Sequence, residues 1–158
     1  MILKGIIDED FINYRKPSMV LEFSSCNFKC DKECGMQVCQ NSKLALAPNI
    51  NVSIDYLILR YANNPITEAI VMQGLEPFDS LKDLTEFIAR FRKCCDDDIV
   101  IYTGYKEEEI SNLITMFLEG LPNIIIKFGR YIPNQQTHYD DVLGVSLASD
   151  NQYAKRIG

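Results

Sequence analysis

Ser18-Met-Val-Leu-Glu-Phe-Ser24, running on into Ser25-Cys26-Asn-Phe-Lys-Cys30-Asp-Lys-Glu-Cys34-Gly-Met-Gln-Val-Cys39-Gln-Asn41, reads as a strand that empties directly into a cysteine-rich loop. Four cysteines fall within fourteen residues, with three, three and four residues between them. Two chemistries commonly demand that density, a disulfide framework or a metal centre. The chain has 158 residues and is 47% hydrophobic, so it can bury a core without covalent staples. Met1 to Glu9 lacks the basic start and apolar run of a secretory leader, so a cytoplasmic, reducing setting is expected. There, thiols are more often metal ligands or catalysts than bridges.

Outward from the cysteine loop, the chain alternates strand and helix signals. Ser53 can cap a helix whose Ile54, Leu57, Ile58 and Tyr61 share one face, with Asn63, Asn64 and Pro65 ending it. Ile66 to Gln73 predicts a second strand running into Gly74-Leu-Glu-Pro77. Ser80 with Asp83 resembles a capping box, ahead of the stripe Leu81, Leu84, Phe87, Ile88 and Phe91. Ile99-Val-Ile-Tyr-Thr103 and Asn123-Ile-Ile-Ile-Lys-Phe128 are apolar runs of the kind buried on both faces of a parallel sheet. Between them Ile110, Leu113, Ile114, Phe117 and Leu118 form another helical stripe, and Val142 to Leu147 is a candidate fifth strand. The cysteine segment, on to Pro48-Asn49, and Gly129 to Asp141 read as long loops.

This order predicts one α/β domain over residues 1–158, with a mostly parallel sheet, right-handed crossovers and the cluster loop at residues 26–41. Ligands of such sheets bind beyond the carboxyl ends of the strands. The cysteine loop, Gly74-Leu-Glu-Pro77 and Gly104-Tyr105 all follow strand ends and so converge on one edge. A net charge of −6 and a pI near 4.8 argue against a nucleic-acid partner. No apolar run approaches the ~20 residues that cross a bilayer.

Zinc usually takes thiolates as two short pairs, and the loop contains no pair separated by two residues. A compact four-thiolate site remains open. If three thiolates hold a four-iron cluster, one iron stays free for an external ligand, which is a catalytic arrangement.

Cys26-Asn-Phe-Lys-Cys30 and Val38-Cys39-Gln-Asn41 resemble the C-x3-C-x2-C loop of radical S-adenosylmethionine enzymes, and more narrowly that of the activating proteins of anaerobic ribonucleotide reductases. Gln73-Gly-Leu-Glu-Pro77 is similar to that family's Gly-Gly-(Asp/Glu)-Pro motif. Ile101-Tyr-Thr-Gly-Tyr105 matches its Thr-Gly-Tyr strand end, and Ser149-Asp-Asn-Gln152 its C-terminal Ser-(Asp/Asn)-Asn-Gln. The likeness covers most of the chain. This chain departs from the pattern in a longer loop, in Leu75 at the second motif glycine, and in Phe128-Gly129 where the family has Asp-Gly. Cys34 and Cys39 compete for the third ligand position. Val38 and Asn41 match the family's surroundings of that cysteine, whereas Cys34 sits between Glu33 and Gly35.

The resemblance implies a partial (β/α) barrel with an open sheet, since a full barrel usually takes ~250 residues. It implies a [4Fe-4S] cluster on Cys26, Cys30 and Cys39, with Cys34 the alternative third ligand, and S-adenosylmethionine on the remaining iron. Backbone carbonyls of Gln73, Gly74, Leu75 and Glu76 would receive the cofactor's ammonium, and Val38 would pack on its adenine. Thr103 and Ser149 would touch its methionine or ribose, and Asn41, Arg130 and Asn151 complete the cofactor set. Reductive cleavage would give a 5′-deoxyadenosyl radical that installs a glycyl radical on the large subunit of an anaerobic ribonucleotide reductase, fed by a one-electron donor. The competing expectations are a radical S-adenosylmethionine reaction on another protein or a small molecule, and a non-enzymatic four-thiolate metal module.

Other features invite plainer readings. Cys94 and Cys95 are expected to be one buried and one half-exposed thiol, apart from the metal. His138 is expected in a solvated loop, and Asp96 to Asp98 at a solvated helix end. Tyr102 and Tyr105 are expected to pack.

Overall fold

A computed structural model describes residues 1–158. The predicted alternation is present. After strand β1 (Ile2–Asp10), β2 spans Ser18–Phe23, and the cysteine loop forms two short helices, α1 (Lys29–Cys34) and α2 (Ser42–Leu46). The two-residue strand β3 (Ile50–Asn51) precedes α3 (Ile54–Ala62). Next come β4 (Ala69–Gly74), α4 (Leu81–Phe91), β5 (Asp98–Tyr102), α5 (Glu107–Phe117) and β6 (Ile124–Phe128). The chain closes with β7 (His138–Asp140), β8 (Val145–Leu147) and β9 (Tyr153–Arg156).

Seven strands form one open mixed sheet in the order β3-β1-β2-β4-β5-β6-β9. Its centre, β2-β4-β5-β6, is parallel, and both edges are antiparallel. The expected mostly parallel, open sheet is found, with the parallel strands at its core and antiparallel strands at both edges. Val142 to Leu147 does not supply a fifth sheet strand. Its last three residues pair with His138–Asp140 as a separate hairpin, and β9 takes the edge. Leu143 and Leu147 instead pack over Val20, Val71, Val100 and Ile125, so this segment covers a face of the sheet and Tyr153–Arg156 pairs with β6.

The pleat sorts the parallel strands between two layers. Met19, Leu21, Phe23, Ile70, Met72, Ile99, Ile101, Ile124, Ile126 and Phe128 face the helices, where Leu57, Leu84, Phe87, Ile88 and Ile110 close over them. Each fully buried side chain of this size contributes roughly 1.5–3 kcal/mol. Val20, Val71, Val100 and Ile125 point the other way, under Tyr14, Leu143 and Leu147. The helices thus cover one face, and the β7–β8 segment with residues 11–16 covers the other. No helix is long and apolar enough to cross a membrane.

Three local expectations change. Ser80 makes no side-chain cap: it ends a 3₁₀ turn (Pro77–Ser80) that runs straight into α4, and the Asp83 carboxylate accepts the Ile2 N–H at 3.0 Å, tying α4 to β1. Asp98 is not solvated: it opens β5 at 5% exposure and binds the Tyr14 hydroxyl (3.0 Å), Lys16 (2.6 Å) and Arg156 (3.2 Å). His138 lies half-buried in β7 rather than in a solvated loop.

Candidate metal centre

The parallel strands β2, β4, β5 and β6 end on one edge of the sheet, and a cavity of about 340 Å³ opens there. Cys26, Cys30 and Cys39 line it together with Asn41, the Gln73–Glu76 strand end, Thr103 and Gly104. The volume lies within the range of small-ligand sites, roughly 300–1,000 Å³.

Each lining element is held in place by backbone chemistry. Glu76 donates its N–H to Ser25 O at 2.8 Å and Leu75 its N–H to Phe23 O at 3.3 Å, so the start of the cysteine loop rides on the β4 end. Asn27 N–H bonds Asp79 at 2.9 Å, and the Asn27 amide donates to the Tyr105 hydroxyl at 3.0 Å. On the far side of the loop the Asn41 amide donates to Gly74 O at 2.6 Å. Gly74 itself has φ +98, and a Cβ there would lie 2.9 Å from Phe23 N, so only glycine fits.

Glu76 has a different role from a surface carboxylate. It is 5% exposed and accepts from the Phe78 N–H (3.1 Å), the Thr103 hydroxyl (2.8 Å) and the Gly104 N–H (2.9 Å). Burial pushes its carboxyl up to about 7, and these donors oppose the rise. Its side chain therefore latches β4 to the end of β5.

The thiols are half-buried and free. Burial pushes Cys26 up to about 11 and moves Cys30 in the same direction. Iron that takes their thiolates must displace those protons, so cluster assembly would release protons. No three His, Cys, Asp or Glu side chains converge tightly enough to grip a single ion. A four-iron cluster takes each thiolate at a separate iron, and three thiols spread around one cavity fit that demand. Cys34, at the C-terminal end of α1, does not line the cavity.

Of the other expected contacts, Asn41, Gln73, Gly74, Leu75, Glu76 and Thr103 line the cavity, whereas Val38, Arg130, Ser149 and Asn151 do not. Arg130 is 4% exposed and bonds Glu109 through both terminal nitrogens at 2.8 Å; its Nε lies 3.3 Å from Glu33, outside hydrogen-bond geometry. Ser149 is fully buried and donates to Asn151 at 2.8 Å, and the Asn151 amide donates to Arg130 O at 2.8 Å. This C-terminal turn braces the end of β6, and only its Gln152 reaches the cavity.

Lys127 is the charged lining residue that pattern reading missed, beside uncharged ones such as Asn13, Gln40, Tyr131 and Ser146. It is 6% exposed and donates to Gly129 O at 2.9 Å. Burial pulls its ammonium down to about 8, and no carboxylate forms an ion pair with it. A signal was available, because a lone charge inside Ile-Ile-Ile-Lys-Phe is unusual in a doubly buried strand.

Cys94 is exposed and Cys95 half-buried, and both lie away from this cavity. Tyr102 donates its hydroxyl to Asn13 O at 2.5 Å, and Tyr105 its hydroxyl to Asp79 at 2.6 Å.

A family model described as a 4Fe-4S single cluster domain matches residues 16–150. No curated protein and no solved structure matches this chain.

Proposed function

The chain belongs to the 4Fe-4S single cluster domain family, and from that premise we propose that it is a radical S-adenosylmethionine enzyme that activates an anaerobic ribonucleotide reductase. One observation carries the proposal: Cys26, Cys30 and Cys39 line a single cavity at the carboxyl ends of β2, β4, β5 and β6. A third iron ligand from Cys39 leaves one iron for the cofactor. When bound, the cluster would supply the electron that splits the sulfonium C–S bond of S-adenosylmethionine, and the 5′-deoxyadenosyl radical would take hydrogen from a glycine Cα of the reductase's large subunit.

The chain's own residues bind, orient and shield. The Gln73–Glu76 strand end presents backbone at the cavity wall, and the Glu76 carboxylate keeps that wall beside Thr103 and Gly104. Lys127 places a buried positive charge on the wall, opposite in sign to the thiolates and to the cofactor's carboxylate. Val145 to Ala148 and Gln152 line one flank of the cavity. In this reading the open sheet is a partial (β/α) barrel, and the missing strands leave room for a protein loop to reach the radical. The reaction belongs in the cytoplasm, with a separate one-electron donor.

The test is anaerobic reconstitution followed by paramagnetic resonance of the reduced protein. Added S-adenosylmethionine is expected to change the spectrum, and dithionite to release 5′-deoxyadenosine. A spectrum indifferent to the cofactor, with no cleavage, removes this function. Deuterium at the reductase glycine Cα is expected in the 5′-deoxyadenosine; its absence beside an unactivated reductase removes that substrate.

A further inference from the structure

Eight residues separate Cys30 from Cys39, so this loop cannot present its third thiol by local spacing alone. The chain leaves Cys30 as α1, stops at Gly35 in a left-handed turn (φ +67), and returns through exposed Met36 and Gln37. At the point of return one oxygen of Asp31 accepts both the Val38 N–H and the Cys39 N–H, each at 2.8 Å. Asp31 is the next residue after Cys30, so the bond ties the third thiol's backbone to the second thiol's helix. On the other side of Cys39, the Asn41 amide holds Gly74 O at 2.6 Å. Cys39 is thus clamped from both directions. Cys34 lies one helical turn beyond Cys30 and has no such clamp toward the cavity.

We infer that Asp31 is the positioning residue that makes Cys39, rather than Cys34, the third thiolate of the cluster. The inference rests on the cluster assignment above and deepens it. Without the carboxylate, two backbone donors lose their acceptor and the return segment is released. The third position then passes to Cys34, the thiol nearest along α1, or is left short of a ligand.

The experiment uses the full chain, reconstituted anaerobically with iron and sulfide, as wild type, Asp31→Ala, Asp31→Asn, and each combined with Cys34→Ala or Cys39→Ala. Asp31→Ala is expected to lose at least half its iron, and the cluster that remains should now depend on Cys34 and differ in its reduced resonance spectrum. Asp31→Asn keeps an amide oxygen at the same place and should retain most of the iron with Cys39 dependence. Circular dichroism of the apo chains reports folding. Should Asp31→Ala not fold, Asp31→Glu, which keeps the charge and moves the acceptor by one methylene, carries the same expectation. Wild-type iron content and spectrum in the variants, still dependent on Cys39 and indifferent to Cys34, would overturn the inference. None of these readouts involves S-adenosylmethionine, so a wild type that binds the cluster but cleaves no cofactor defeats the proposed function and leaves this inference standing. A wild type that assembles no cluster defeats both.

Discussion

The Glu76 carboxylate accepts the Thr103 hydroxyl at 2.8 Å, joining the carboxyl ends of two parallel strands that are neighbours in the sheet. Because the same carboxylate also holds the Gly104 and Phe78 N–H groups, it gathers three donors that would otherwise be buried without partners. Thr103→Val should cost about 1 kcal/mol, and Glu76→Ala about 3 kcal/mol. Urea unfolding of the apo chain measures both, and equal costs would show that the latch is not shared among the three donors.

The three cavity thiols are expected to act as a set. Cys26→Ala, Cys30→Ala and Cys39→Ala should each abolish the absorption and iron content of the reconstituted protein, while Cys34→Ala keeps most of both. Retention with Cys39→Ala and loss with Cys34→Ala would reverse the assignment.

Gly74→Ala tests the close approach at the cavity wall. Its φ of +98 and the 2.9 Å contact to Phe23 N leave no room for a methyl group. The expected cost is about 2 kcal/mol or more in thermal or urea unfolding; under the proposed function the variant should also bind S-adenosylmethionine more weakly by titration.

The Arg130–Glu109 pair predicts a pH dependence. Hydrogen bonding from Arg130 holds Glu109 at about 2, below its ordinary 4.5. A carboxyl lowered in the folded state adds stability that is present above pH 4.5 and is lost as pH falls toward about 2. Glu109→Gln should flatten the stability curve in that window and cost about 2 kcal/mol at neutral pH, since it leaves the buried guanidinium with only the exposed Glu33 as an anion. Denaturant midpoints at a series of pH values decide this.

Lys127→Met should leave apo stability within about 1 kcal/mol of wild type, because it removes a buried charge along with one hydrogen bond. The same variant should move the cluster's midpoint potential to more negative values, since a nearby positive charge favours the reduced form. An unchanged potential in a redox titration would place Lys127 outside the cluster's field.

Much of the architecture is legible in local periodicity. The helical stripes Leu57–Tyr61, Leu84–Phe91 and Ile110–Ile114, and the aliphatic runs of β4, β5 and β6, each declare their own geometry because the pattern of apolar residues must match the period of the element that buries it. Parallel strands with helical crossovers all point the same way, so the loops that follow them share an edge, and the convergence of Cys26, Gly74 and Gly104 follows from order alone.

Pairing between distant polar groups is not local, and only the folded chain decides it. Arg130 is committed to Glu109, Asp31 to the amides of Val38 and Cys39, and Asp98 to Tyr14, Lys16 and Arg156. The antiparallel edges β1 and β9, and the placing of Lys127 on the cavity wall, depend on which strands meet. Sequence specifies a residue's chemistry and its element's period. Its partner is set by chain closures over tens of residues, where the cost of leaving a buried charge or N–H unmatched selects one arrangement.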